Sequence, residues 1–351
     1  MEEEIKNVSC VWLAVIGAFC YCRLVSSRLS IPKWRLISIA PVLCLLAVAP
    51  LCIRSSAFIT ALTAFFITWL ATFKLLLFAF DLGPLASNPP KSLPVFVALA
   101  ALPFRLKPPA TAKKSKKLPL NLATEIPISA VLISALFEYK EKMHPFLVLV
   151  AYCCLVFLMI EILVEMSSKL VRAVVGMELE PPSDEPYLSA SLQEFWGRRW
   201  NLTVNSILRE AVFGPVRRAT AGAVGGETAA LMGVLASFVV SGLMHELLFW
   251  YVAPGTPPSW EMTMFFVLHG VCVVAEIGIK KRLGKRKWRL PWFVTGPLTV
   301  CFVMGTSFWL FFPPVMRTGA DVRVIEELRF AGELFIAKIK ELWLHSCNKF
   351  T

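Results

Sequence analysis

The chain has 351 residues, of which 57% are hydrophobic and only 17% charged, and its mean hydropathy is +0.66. Soluble globular domains carry about a quarter of their residues as charges, so this composition excludes a chain that has water as its main solvent. A formal net charge of +12 admits a nucleic-acid partner, but in a multispan protein basic residues first report topology.

Crossing a bilayer as a helix takes roughly 17 to 25 apolar residues, because no backbone group can go unpaired in hydrocarbon. In chain order such runs fall at 8–22, 36–53, 57–80, 120–138, 145–166, 228–252, 262–279 and 291–312. The first follows Glu2, Glu3 and Glu4 with no basic stretch before it, and reads as a retained helix rather than a cleaved signal peptide. The fourth is short by the length criterion. Between the third and fourth, the apolar piece from Ser92 to Phe104 has a proline near each end and is too short to cross. It is expected to lie in the interface or to re-enter. The fold class is therefore all-α, a polytopic bundle of about eight transmembrane helices forming one domain over 1–351.

Basic residues collect in alternate loops. Arg23, Arg28, Lys33 and Arg35 follow the first span; Arg105, Lys107, Lys113, Lys114, Lys116 and Lys117 precede the fourth; Lys280 through Arg289 separate the seventh and eighth. All three loops fall on one side, which the positive-inside rule makes cytosolic. The long segment 167–227 falls on the same side. Asn201-Leu202-Thr203 and Asn7-Val8-Ser9 match the glycosylation sequon, but a cytosolic Asn201 is no acceptor and Asn7 is too near the membrane. After the last span, Phe335, Ile339 and Leu342 recur at helical spacing with Lys338 and Lys340 between them. That pattern predicts an amphipathic helix on the lumenal side, lying on the membrane surface rather than crossing it, which packs on the bundle or, as the competing reading, gates the acyl acceptor.

The 10 cysteines include no C-x-x-C pair, and Cys153-Cys154 and Cys20-Tyr21-Cys22 read as small hydrophobes in helices. No metal site is expected: His245-Glu246 begins like a zinc-protease helix, but Phe249 stands where the second histidine belongs. A nucleophile elbow, a Walker loop, a dinucleotide fingerprint and a His-x-x-x-Asp pair are all missing from the sequence. Lys74 and Asp81, seven apart, share a helix face and are expected to pair as an anchor. Glu161 and Glu165 must face protein, water or a cation, and His269 with Glu276 are placed to bond or to line a cavity. For all of these a structural role is expected. His245 stands apart: it sits deep in an apolar span after Ser241-Gly242 and before Phe249-Trp250-Tyr251. A neutral imidazole is the least costly base to bury. From these residues alone, a helix-packing histidine and a proton acceptor both remain open.

Residues 188–218, with Ser191-Leu192-Gln193-Glu194-Phe195-Trp196-Gly197-Arg198-Arg199-Trp200-Asn201 and Phe213-Gly214-Pro215-Val216-Arg217-Arg218, together with Val240 to Leu247, resemble the plant-type wax synthases. These are long-chain-alcohol O-fatty-acyltransferases of the membrane-bound O-acyltransferase superfamily. The similarity runs along the chain, including Trp69 to Ala79 and Pro181 to Tyr187; Glu194 departs from the Asp of that group. The resemblance implies a buried catalytic chamber with Asn201 and His245 as the two hallmark catalytic residues. It implies transfer of a fatty acyl group from acyl-CoA, a substrate rather than a cofactor, to a long-chain fatty alcohol, giving a wax ester in the endoplasmic reticulum membrane. His245 is then the general base and Asn201 the donor that orients the acyl group or stabilises the oxyanion. Arg198 and Arg199 are candidates for the CoA phosphates, with flanking topology charge as the competing reading. Trp196 and Trp200 join them as candidate substrate contacts, one helical turn apart, with packing at the membrane interface as the competing reading. The expected partners are acyl-CoA, a membrane-dissolved alcohol and the bilayer. A sterol acceptor is the alternative within the same chemistry. A transporter or scaffold is the alternative outside it, against which stands the missing internal repeat of broken helices.

Overall fold

A computed structural model describes residues 2–53, 56–86, 91–103, 121–175, 179–181, 183–283 and 291–347. Phe104, the six basic residues from Arg105 to Lys117, and Lys285 to Arg289 lie outside the described residues. The described chain is helical, without a strand. Its helices are α1 (Glu2–Leu24), α2 (Pro32–Val48), α3 (Ala57–Ala79), α4 (Leu93–Ala101), α5 (Leu122–Tyr139) and α6 (Pro145–Val175). They are followed by α7 (Leu202–Leu208), α8 (Gly214–Val224), α9 (Gly226–Val252), α10 (Glu261–Leu283), α11 (Trp292–Arg317) and α12 (Ala320–Cys347). Eight segments are long and apolar enough to cross a membrane, and they coincide with the eight hydrophobic runs. The chain is a polytopic helical bundle.

Two boundaries differ from expectation. The fourth span is full length, because the helix from Leu122 runs on through a 3₁₀ turn to Lys142. The fifth continues to Val175, so the motif-bearing segment begins nearer 176 than 167. Apolar side chains on the outside, such as Leu13 at 68% and Phe293 at 69% exposure, have no place on a water-soluble surface and suit contact with lipid.

The turns gather in two sets, as eight crossings require. At one end Arg35 pairs with Asp81, Arg23 Nε donates to the Lys91 carbonyl at 2.7 Å, Lys281 pairs with Glu227 and Trp292 Nε1 donates to the Leu188 carbonyl at 2.9 Å. At the other, Lys140 meets Asp321 at 2.7 Å and Arg317 pairs with Glu261. There too Glu327 of α12 accepts the Ala57 N–H at 2.8 Å and the Phe58 N–H at 2.9 Å, capping the start of α3.

The apolar piece after Ser92 becomes α4, which is sunk into the bundle: Phe96, Leu99 and Ala100 are within 1% of full burial and share a core with α1, α3 and α7. That burial answers the question of interface or re-entry in favour of a segment packed inside protein, the one setting in which a short helix is tolerated at membrane depth. Lys74 does not pair with Asp81. Its Nζ donates to the carbonyls of Leu99 and Leu102 instead, because Arg35 has taken Asp81. Glu165 is 3.6 Å from Lys169. In α12 the side chains of Phe335 and Leu342 lie outside the described residues; Ile325 and Leu328 pack on α5 and α6, while Phe330, Leu334 and Ile339 are exposed.

Candidate active site

Among the described residues four short π-helical stretches interrupt the regular helices, at Ala64–Ala71 within α3, at Phe195–Arg199, at Arg209–Phe213 and at Ser307–Phe311 within α11. Each delivers side chains to one cavity of about 1010 Å³, among them Trp69, Trp196, Arg209 and Phe311. Single π turns concentrate at functional positions because the extra residue turns a side chain out of register. The cavity is mostly apolar, is also bounded by α6, α9 and α10, and has the size of a large ligand pocket, for which roughly 300–1,000 Å³ is usual.

His245 opens on this cavity from α9. Its Nδ1 lies 2.8 Å from the carbonyl of Ser241, one turn earlier. A carbonyl only accepts, so in the neutral ring Nδ1 carries the hydrogen and Nε2 keeps its lone pair. The ring is stacked on Phe266, with centroids 4.3 Å apart, and touched edge-on by Trp69 at 4.9 Å and Phe311 at 5.8 Å. Three aromatic neighbours fix the imidazole plane and leave Nε2 without a hydrogen-bond partner among the described residues. Gly242 lets α10 come this close, since a Cβ there would sit 2.9 Å from Thr263 Cα. Glu246, the next residue after His245, accepts the Trp260 N–H at 2.8 Å and so caps α10; it is part of the scaffold.

Asn201 lines the same cavity. Its backbone is left-handed, with φ 38°, a conformation that Asn tolerates better than other side chains. Its Oδ1 accepts the Val204 N–H at 3.1 Å and caps α7. That bond consumes the oxygen and leaves the Nδ2 hydrogens as donors. Asn205 Nδ2, one turn on, donates to the Trp196 carbonyl at 2.5 Å.

The two arginines divide. Arg198 is exposed and lines the cavity. Arg199 turns inward: its Nε donates to Glu194 Oε1 at 2.7 Å and its Nη1 to the Asp184 carbonyl at 2.9 Å. Burial pushes the Glu194 carboxyl up, but the Ala190 N–H and the Arg199 and Arg198 charges together outweigh it and hold Glu194 below the usual carboxylate range. Trp196 and Trp200 both line the cavity. They are not one turn apart on a regular helix, because Trp200 leaves it with an extended backbone (ψ 130°) and stacks on Phe195 at 5.6 Å.

His269 does not join the site. It is fully buried, its Nδ1 is 2.8 Å from the Phe265 carbonyl and its Nε2 is 3.3 Å from Thr306 Oγ1, a bridge from α10 to α11. Nor does it meet Glu276, which accepts the Gln193 N–H at 3.2 Å and pairs with Lys280. Sequence reasoning did not single out Phe266, Phe311 or Arg209, nor Cys153 and Cys154 as cavity-lining residues. Arg209, a cation eight residues beyond Asn201, is the one that the charge pattern carried a signal for. Among the described residues no group of three or more His, Cys, Asp or Glu is placed to hold a metal ion.

The profile of the membrane bound O-acyl transferase family matches residues 179–268, the stretch that holds both Asn201 and His245. Along nearly its whole length the chain is similar to the long-chain-alcohol O-fatty-acyltransferase of Simmondsia chinensis, 42% identical over 339 residues, with 93% of this chain and 94% of that protein covered. It is also similar to probable long-chain-alcohol O-fatty-acyltransferase 3 of Arabidopsis thaliana, 43% identical over 330 residues, with 93% and 94% covered. An acyl-CoA–sterol O-acyltransferase of Arabidopsis thaliana is 37% identical over 339 residues, with 94% and 96% covered.

Proposed function

Because the chain belongs to the membrane-bound O-acyltransferase family, alongside plant long-chain-alcohol O-fatty-acyltransferases, we propose that it transfers a fatty acyl group from acyl-CoA to a long-chain alcohol. The products are a wax ester and free CoA. The observation that carries the mechanism is that His245, its Nδ1 engaged by the Ser241 carbonyl, lines an apolar cavity together with Asn201. The acyl donor is a water-soluble thioester bearing phosphates, while the alcohol is dissolved in lipid; a membrane-buried cavity edged by exposed cations suits both.

In the reaction Nε2 of His245 takes the alcohol proton as the oxygen attacks the thioester carbonyl carbon. Negative charge gathers on the carbonyl oxygen, where the Asn201 amide donates to it. The C–S bond then breaks, CoA leaves as the thiolate, and the imidazolium returns the proton to sulfur, restoring neutral His245. Arg198, with Arg209, holds CoA phosphates. Arg199, whose donors are engaged with Glu194 and Asp184, keeps the turn in shape. Trp196 and Trp200 form part of the acyl channel. Acyl-CoA is a substrate and no cofactor takes part. The chain acts as one domain in the endoplasmic reticulum membrane, its basic end toward the cytosol.

The similarity to a sterol acyltransferase makes the acceptor the point to test. Microsomes from a host without neutral-lipid acyltransferases, given labelled acyl-CoA and separate long-chain alcohols, sterols and diacylglycerol, should form wax ester fastest. Faster steryl ester formation would move the acceptor to sterols. No ester from a well-expressed chain would sink the reading.

A further inference from the structure

Lys74 lies within α3 with 1% of its surface exposed, at a depth where a charged side chain is costly and has a purpose as a rule. Its Nζ donates to the Leu99 carbonyl at 2.6 Å and the Leu102 carbonyl at 2.7 Å. Both carbonyls belong to the C-terminal end of α4, where a helix leaves its last acceptors unpaired and carries partial negative charge. The Lys74 amino group, with more than one N–H, answers both.

The chain that follows this clamp leads to the site. Pro103, next after Leu102, accepts the hydroxyl of Thr203 at 3.3 Å. Thr203 is 3% exposed and stands two residues beyond Asn201. The left-handed backbone of Asn201 persists only if its surroundings hold it. On one side it is held by the cap to Val204 and by Asn205 on Trp196; Pro103 and Thr203 hold the other. Leu99 and Ala100 of α4 belong to the same extended apolar core as Val204 and Ile207 of α7, so the bond from Thr203 to Pro103 joins two segments that are both anchored in it.

We propose that Lys74 is a positioning residue for acyl transfer, fixing the Asn201 amide through the end of α4, Pro103 and Thr203. This rests on the oxyanion role of Asn201 given above.

The test is steady-state kinetics and thermal melting of the full-length enzyme in detergent, normalised to folded protein. Lys74→Met removes the Nζ donor and keeps the side chain out to Cε; Thr203→Val removes the hydroxyl and nearly keeps the shape. A small displacement of a reacting geometry costs roughly ten- to a hundredfold in rate, so each variant should lower kcat by that order while leaving the KM for acyl-CoA within about twofold. Acting through one link, the double variant should be no slower than the slower single. In an Asn201→Asp background, where the amide donor is already gone, Lys74→Met should cost nothing further. Unchanged kcat with a lower melting temperature, losses that multiply, or a full further loss in the Asn201→Asp background would each overturn the proposal. If Lys74→Met fails to accumulate, Thr203→Val decides alone: wild-type kcat rejects the link, and a slowed enzyme with unchanged melting supports it. Full activity of Asn201→Asp by itself would remove the oxyanion role first, a failure distinct from the others because it appears without any change at Lys74 or Thr203.

Discussion

His245 and His269 make the same local bond, Nδ1 to the carbonyl four residues back at 2.8 Å, on adjoining helices. What separates them is the other nitrogen. His269 Nε2 ends on Thr306 in full burial, whereas His245 looks into the cavity. His245→Ala should therefore lower turnover by roughly two to four orders of magnitude, the usual worth of a general base, with the protein still in the membrane. His269→Ala should shift the melting temperature more than the rate; equal rate losses in the two variants would refute the assignment. On the proposed mechanism Asn201 carries two duties, the cap of α7 and the oxyanion donor, that substitution can part. Asn201→Asp keeps an oxygen for the cap and a residue tolerant of the left-handed backbone, but loses the amide donor. It should retain its melting temperature while kcat falls by about 10²–10³, the cost of one oxyanion donor. The apolar setting of His245 made it a candidate from residue type alone, whereas Asn201 became one only through the resemblance to the wax synthases. The tautomer of His245 and the cap at Asn201 were not readable from sequence, because each depends on which atom a neighbour offers.

Hydropathy found all eight spans, since the demand for backbone pairing in lipid is written in composition alone, although it ended the fifth at 166 and the helix runs to Val175. It did not place the π turns, which depend on what packs against a helix, or the partners of Lys74 and Asp81, which come from other helices. Seven-residue spacing along one helix shows which groups share a face, and nothing of what stands opposite. The small residues before His245 were legible, and their use is visible at Gly242, where a Cβ would lie 2.9 Å from the α10 backbone. Gly242→Ala must push α9 from α10 and so part His245 from Phe266; overpacking of this kind costs about 1–3 kcal/mol, and activity should fall with the melting temperature. Gly222 in α8 has nothing within 4 Å of a Cβ. Gly222→Ala should be neutral or stabilise by up to about 1 kcal/mol, the difference in helix propensity. Comparable losses in both variants would show that close helix approach is not what Gly242 provides.

The two sets of turns bear on how the bundle sits in its membrane. The set joined by Arg35–Asp81 and Lys281–Glu227 is the one that the sequence makes basic, and Arg198 and Arg209, which line the cavity, fall in the segment between α6 and α9. In the proposed reaction the donor bearing phosphates arrives from the cytosol, so the positive-inside rule and that chemistry ask for one orientation. The opposite set, joined by Lys140–Asp321 and Arg317–Glu261, then faces the lumen, and α12 starts from it. Cysteines introduced singly at Glu227 and Lys340, both exposed, distinguish the faces. At Glu227 the substitution gives up only a surface ion pair, which is worth little. In sealed microsomes with the cytosolic face outward, Glu227→Cys should react with a membrane-impermeant thiol reagent at once, and Lys340→Cys only after the vesicles are opened, each measured against the unsubstituted chain. Labelling of both before opening would mean that α12 returns to the cytosolic face, and labelling of Lys340→Cys alone would invert the bundle and remove His245 and Asn201 from a cytosolic acyl donor.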